Sequence, residues 1–187
     1  MERLKDFAAL AKYRDQIIAA RNTGKPMVSV CGGTGCKGSG ADQVVAAFKE
    51  ELAKAGLADR IEFRETGCHG FCERGTVVVI RPQGVFYQRV QPKDAAEVIE
   101  KTVLGGKIID RLLYVDPTTG EKIAHEHDVP FYKYQQRLIF GSNGTLDPTN
   151  IEDYLAAGGY AGLAKALSSM QPDQIIAEVK KDRKSVV

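Results

Sequence analysis

Hydrophobic positions along the chain change period several times, and the changes outline its elements. Residues 2–21 space Leu4, Phe7, Leu10, Ala11, Tyr13, Ile17 and Ile18 mostly three or four apart, which predicts an amphipathic helix closed by Gly24 and Pro26. Its apolar stripe is expected to pack on the domain downstream of it. Met27–Val30 is a short apolar, partly β-branched run and predicts a buried strand leading into Cys31. Ala41–Ala55 puts Val44, Val45, Phe48 and Leu52 on one helical face, with Gly56 as the stop. Ile61–Thr66 alternates Ile61 and Phe63 with Glu62 and Arg64, a second strand. Thr76–Ile80 is nearly all Val and Ile, and Pro82-Gln-Gly84 turns it back into Val85–Val90 as a hairpin. Pro92 opens a helix with Val98, Ile99, Thr102 and Val103 on one side, closed by Gly105-Gly106.

The order is β-α-β, then a β-hairpin, then α. A strand–helix–strand crossover makes the first two strands parallel, so their carboxyl ends share one sheet edge. Open α/β sheets bind ligands at such edges. The fold class is therefore α/β: a thioredoxin-like β-α-β-β-β-α domain with an N-terminal helix and a mostly helical C-terminal extension. The domains read as 1–25 (helix), 26–106 (thioredoxin-like), 107–135 (connector) and 136–187. Within the connector, Tyr114–Phe131 is rich in turn residues and has room for a short hairpin. Gln136–Phe140 is strand-like, and helices come next at 151–157, 161–170 and 173–181. This last region is short for a core of its own.

Both of the parallel strands run into cysteine loops. Cys31-Gly-Gly-Thr-Gly-Cys36 and Gly67-Cys68-His-Gly-Phe-Cys72 hold every cysteine in the chain, spaced C-x4-C and C-x3-C. The topology brings Cys31, Cys36, Cys68 and Cys72 together as two jaws of one metal site, read as a [2Fe-2S] cluster. Four thiolates and two sulfides carry excess negative charge, and glycine lets backbone N–H groups curl in to offset it. Gly32, Gly33, Gly35, Gly38, Gly67 and Gly70 suit that task, and the helix starting near Gly40 directs its positive end to the same place.

Rival readings exist. Zinc with four cysteines favours tighter C-x2-C knuckles on small folds; a zinc-stabilised thioredoxin-like interaction module is the alternative function. A dithiol–disulfide protein would favour C-x-x-C. Gly33-Thr-Gly-Cys-Lys-Gly38 matches the dinucleotide fingerprint G-x-G-x-x-G, yet Asp59 precedes the second strand instead of ending it, and Glu65 or Thr66 holds the ribose-reading position. His69 is expected to face solvent or donate a hydrogen bond in place of ligating. His125 and His127 read as a surface H-x-H. Glu73-Arg74 either tunes the site, marks a docking point or is simply solvated.

Composition narrows the classes further. Of 187 residues, 43% are apolar and 27% charged, with a net charge of +2, too small to argue for nucleic acid or an anionic membrane. No apolar run is long enough for a transmembrane segment and no secretory signal opens the chain, so a cytoplasmic location is the default.

The cysteine pattern on this element order resembles the thioredoxin-like [2Fe-2S] ferredoxin domain. Gln136-Arg-Leu-Ile-Phe140, Gly144-Thr-Leu-Asp-Pro148, Tyr154 with Gly158-Gly-Tyr160, and Leu163-Ala-Lys-Ala-Leu167 resemble the opening of the flavin- and NADH-binding subunit of complex I-like NADH dehydrogenases. Closer still are the NAD(P)-linked iron hydrogenases and formate dehydrogenases, where such a ferredoxin domain precedes that subunit. The resemblance reaches to about Lys181. It implies an NAD(P)H-linked oxidoreductase with FMN, an NAD(H) site and a [4Fe-4S] cluster, working with other redox subunits of a multisubunit assembly. The family's flavin loop comes directly after the Lys180-Lys181 region; here Asp182–Val187 ends the sequence. Those cofactors are thus expected only in the full-length family and not in this chain, which reads as a truncated, split or excised piece. On this reading the chain shuttles electrons and is not catalytic alone.

Overall fold

A computed structural model describes residues 4–21 and 24–182. They fall into two compact units, 24–150 and 1–23 with 151–187.

In the first unit, β1 (Met27–Cys31) lies between β2 (Glu62–Thr66) and β3 (Val78–Arg81), with β4 (Val85–Tyr87) at the far edge, in the order β2-β1-β3-β4. β1 is parallel to β2, with Met27 opposite Glu62 and Cys31 opposite Thr66, and antiparallel to β3. The expected strand order and crossover are present.

The pleat divides the sheet residues between two cores. Val28, Val30, Val78, Ile80, Val85 and Tyr87 join one, packed against α3 (Ala41–Lys54) and α4 (Ala95–Glu97), which continues as the π-helical Val98–Leu104. Cys31, Val77, Val79 and Phe86 join the other, where they meet Tyr114 and Val129, with Ile123, Phe131 and Tyr132 at its margin. The connector thus supplies the cover of the second face. It also contains the expected short hairpin, β5 (Tyr114–Val115) with β6 (Lys122–Ile123), and after it the single turn α5 (Pro130–Lys133).

Residues 136–140 are not a strand. They lead into bends and then turns at 141–145. A strand needs a partner, and the sheet edge nearby is met instead by the backbone of the turn that follows, residues 144–146. Arg64 donates to the Thr145 carbonyl at 2.7 Å, the Ser29 hydroxyl to the Gly144 carbonyl at 3.1 Å, and the Gly67 amide to the Leu146 carbonyl at 3.0 Å. Leu138, Ile139 and Phe140 are left exposed.

The second unit contains α1 (Phe7–Arg21), α6 (Ile151–Ala156), α7 (Ala161–Ser169) and α8 (Pro172–Lys181). Residues 1–3, 22–23 and 183–187 of the expected elements lie outside the described residues. Only Ile17 of α1 is buried, so the predicted stripe is weaker than its spacing implies. What ties α1 to α6 is polar: the Tyr13 hydroxyl donates to Glu152 at 2.6 Å, and Arg21 pairs with the buried Asp153 at 2.6 Å. Among the described residues no helix is long and apolar enough to cross a membrane.

Candidate cluster site

The first jaw begins where β1 ends. The Cys31 amide donates to the Val77 carbonyl at 3.0 Å, and the Gly32 amide to the Thr66 carbonyl at 2.8 Å, so the chain leaves the sheet with its backbone still paired on both sides. The one-turn helix α2 (Thr34–Gly38) then carries Cys36 back toward Cys31. The second jaw leaves β2 at Thr66, and Cys72 opens a 3-10 turn, Cys72–Arg74. Cys31 and Cys36 are each 1% exposed, Cys68 is half-buried and Cys72 exposed; all four are free thiols. Register and crossover therefore bring the four cysteines to one edge of the sheet, as the topology predicts.

Glycine allows the jaws to approach. A Cβ on Gly33 would lie 2.8 Å from the Cys68 Cβ, one on Gly35 2.9 Å from the Cys72 Sγ, and one on Gly75 3.0 Å from the Cys36 Sγ. Gly33 has φ −63° and ψ 155°, an ordinary backbone for any residue, so space and not conformation demands glycine there. This explains the G-x-G-x-x-G match without a nucleotide: its first two glycines face cysteines across the gap. The Glu65 carboxylate lies against Gly32 and pairs with Lys37 at 3.2 Å, while Thr66 is buried and donates to the Val30 carbonyl. Neither is placed to read a ribose.

Backbone amides converge on the sulfurs, as the glycine content predicts, though from partly different residues. Cys31 accepts from the His69 and Gly33 amides, Cys36 from the Val77 amide, and Cys68 from the Gly70 amide at 3.3 Å. The Cys36 thiol donates to Cys31 and, despite burial, the His69 and Gly33 amides help to hold the Cys31 thiol at about 5, below its usual 9.0. Cys36 is pushed up by the same hydrogen bond and by burial. Burial also raises Cys68, with the Gly70 amide opposing. The first jaw is thus built to stabilise thiolate.

The Cys68 and Cys72 sulfurs are 3.9 Å apart. Among the described residues no three His, Cys, Asp or Glu side chains form a single metal-holding group. Four free thiols on two adjoining loops, with backbone amides near the sulfurs, fit a two-iron cluster better than one tetrahedral ion.

Three features of the site were not legible in the sequence. Phe71, between Cys68 and Cys72 of the second jaw, stacks on Phe131 at 4.3 Å and 5°, with Tyr114 and Tyr132 around it, so the connector holds that jaw by aromatic packing. His69 makes the hydrogen bond expected as one of its two alternatives, but from full burial and not at the surface: its Nε2 is 2.9 Å from the Thr66 Oγ1 and its ring lies against Gly144. And in His125-Glu126-His127 the consequential residue is the central one. Glu126 lies 3.4 Å from His69 Nδ1 and pairs with Arg81 at 2.9 Å. Burial would raise its carboxyl, but His69 and Arg81 together hold it below the usual range. The flanking histidines behave as surface residues, His125 against the Gln83 carbonyl and His127 beside Asp128. Arg74 turns over the Tyr114 ring and pairs with exposed Glu73, which stays beside Cys72 at the surface.

Similarity to known proteins agrees with this geometry. The family model for thioredoxin-like [2Fe-2S] ferredoxins matches residues 10–103. A 2Fe-2S ferredoxin of Clostridium pasteurianum is 34% identical over 41% of this chain and 76% of its own length. Another from Aquifex aeolicus is 37% identical over 42% and 71%. A more distant relative, the NADP-reducing hydrogenase subunit HndB of Solidesulfovibrio fructosivorans, is 28% identical over 62% of this chain and 95% of its own. The chain belongs to the thioredoxin-like [2Fe-2S] ferredoxin family, and its cofactor is a [2Fe-2S] cluster.

Proposed function

We propose that Cys31, Cys36, Cys68 and Cys72 are the four cluster ligands, one jaw to each iron, and that the chain carries single electrons within an NAD(P)H-linked oxidoreductase. The observation that supports the ligand set most directly is the pairing of four free thiols at one sheet edge with glycine wherever a side chain would hold the jaws apart. When bound, the cluster supplies a one-electron couple. The residues supply asymmetry. The first jaw is sealed under the sheet and rich in amide donors, whereas Cys72 and the half-buried Cys68 lie at the surface. Electrons enter and leave on the second-jaw side.

The hydrogenase relative, named as a subunit, supports placement among other redox subunits, and a cytoplasmic location is proposed with it. Residues 26–106 are then the cluster domain and 136–187 the opening of a flavin- and NADH-binding part, whose FMN, NAD(H) and [4Fe-4S] sites lie elsewhere in the assembly. A redox titration of the reconstituted chain tests this reading. It should take up one electron per chain, reversibly, with NADH oxidised only when a flavin-bearing partner is added. Direct NADH oxidation by the chain alone, or no reversible electron uptake, would overturn it.

A further inference from the structure

We infer that Glu126 and Arg81 form a built-in charge pair that poises the cluster, with Glu126 acting as a positioning residue through His69. The inference rests on the proposed ligand set. A continuous set of contacts carries it. His69 directly follows Cys68 in the chain, and its amide faces the Cys31 sulfur. The same residue's ring has its Nε2 2.9 Å from the Thr66 hydroxyl, while its buried Nδ1, which has no hydrogen-bond partner among the described residues, lies 3.4 Å from the Glu126 carboxylate. Thr66 donates onward to the Val30 carbonyl, one residue before Cys31. Behind Glu126, Arg81 closes the pair at 2.9 Å and reaches toward the Gly144 carbonyl. Gly144 also receives the Ser29 hydroxyl and lies on the His69 ring, where a Cβ would come within 3.1 Å.

Sequence distance makes this arrangement informative. Glu126 comes from a turn in the connector and Arg81 from the end of β3, so two segments distant in sequence meet beside His69 of the second jaw. A buried histidine could have been satisfied by one carbonyl. Here it faces a full carboxylate that is itself neutralised from behind, an expensive arrangement unless the charges matter. The side chains of Glu126 and Arg81 are 19% and 25% exposed, so solvent screens them less than the surface carboxylates nearby. Adding an electron to the cluster adds negative charge. A fixed anion opposes that and a fixed cation favours it, and the observed pair holds the two in balance beside the ligand loop.

The test uses the full reconstituted chain and reads the midpoint potential. Glu126→Gln keeps the shape of the side chain and removes the anion, so the midpoint should rise. Arg81→Gln removes the cation, so the midpoint should fall. The double variant should return close to the unmodified chain. Each single shift should correspond to at least a tenfold change in the reduced-to-oxidised ratio at fixed ambient potential, about 59 mV for one electron. Asp128→Asn, on the same turn but exposed, should leave the midpoint in place. Opposite signs are what a purely structural role cannot produce, because loosening the loop from either side would shift the potential the same way. Shifts of one sign, no shift, or loss of the cluster from either single variant would overturn the inference, since neither residue is a ligand. Failure of the unmodified chain to take up a cluster would instead overturn the proposed ligand set.

Discussion

Substituting Gly33 by alanine isolates the steric demand between the jaws. Its φ of −63° and ψ of 155° are open to alanine, so backbone strain contributes nothing. The new Cβ would sit 2.8 Å from the Cys68 Cβ and 3.1 Å from its Cα. Ordinary contacts begin near 3.4 Å, so the jaws must part by about 0.6 Å. Because one of the crowded atoms belongs to the main chain, a side-chain rotation cannot relieve the clash and the backbone has to move. Overpacking of this kind costs about 1–3 kcal/mol. The same displacement is about three times the roughly 0.2 Å tolerance of metal–ligand distances, so cluster retention should fall further than stability does. Chemical denaturation of the apo-protein, with iron and sulfide counted after anaerobic reconstitution, reads both effects. Gly38→Ala is the control, since a Cβ there meets nothing within 4 Å and φ is not positive; it should be neutral or slightly stabilising. Full cluster content and an unchanged midpoint of unfolding in Gly33→Ala would refute the argument that glycine is there for the approach of the jaws.

The same structure has further consequences for the thiols and the helical unit. Cys31→Ser should lose the cluster and also destabilise the apo-protein, because it places a hydroxyl in a fully buried site, whereas Cys72→Ser should lose the cluster with apo stability within about 0.5 kcal/mol; denaturation curves of the two variants separate them. Thiolate absorbance of the apo-protein should show one cysteine deprotonating near pH 5, absent in Cys31→Ser. Because the folded Cys31 binds its proton more weakly than the unfolded thiol at 9.0, its contribution to apo stability is complete above pH 9 and is lost as pH falls through about 5. Cys36 has the opposite sign: its contribution is present below pH 9 and declines as pH rises further. In the helical unit, Arg21→Ala should weaken the hold on buried Asp153 by about 1.5–3 kcal/mol, seen as faster hydrogen exchange in α1 and α6.

Much of the sheet was legible because its signals are local. A Met-Val-Ser-Val run ending at Cys31, an alternating Ile-Glu-Phe-Arg run ending at Gly67, a crossover of one helix, and a Pro-Gln-Gly turn leave few topologies, and parallel pairing then places the cysteines at one edge. The cysteines and their glycines carried the site for the same reason. What escaped depended on contacts between distant segments. Phe131 and Tyr132 read as part of a loop, and nothing nearby marks them as the packing partners of Phe71. Glu126 sits between two histidines that attract the eye as metal ligands, yet its partners, His69 and Arg81, lie 57 and 45 residues away. Two charges that neutralise each other in three dimensions look in one dimension like ordinary surface residues. Gln136–Phe140 shows the converse error. Its apolar content fits a strand, but strand formation depends on a free edge, which a pattern of side chains does not reveal.

The central claim, that the two jaws hold a [2Fe-2S] cluster, is tested most directly by electron paramagnetic resonance of the anaerobically reconstituted and reduced chain, with iron and acid-labile sulfide counted on the same sample. The account expects about two iron and two sulfide per chain and a single-electron paramagnetic signal that disappears on reoxidation. A colourless chain holding zinc, or four free thiols with no iron or sulfide after reconstitution, would contradict it.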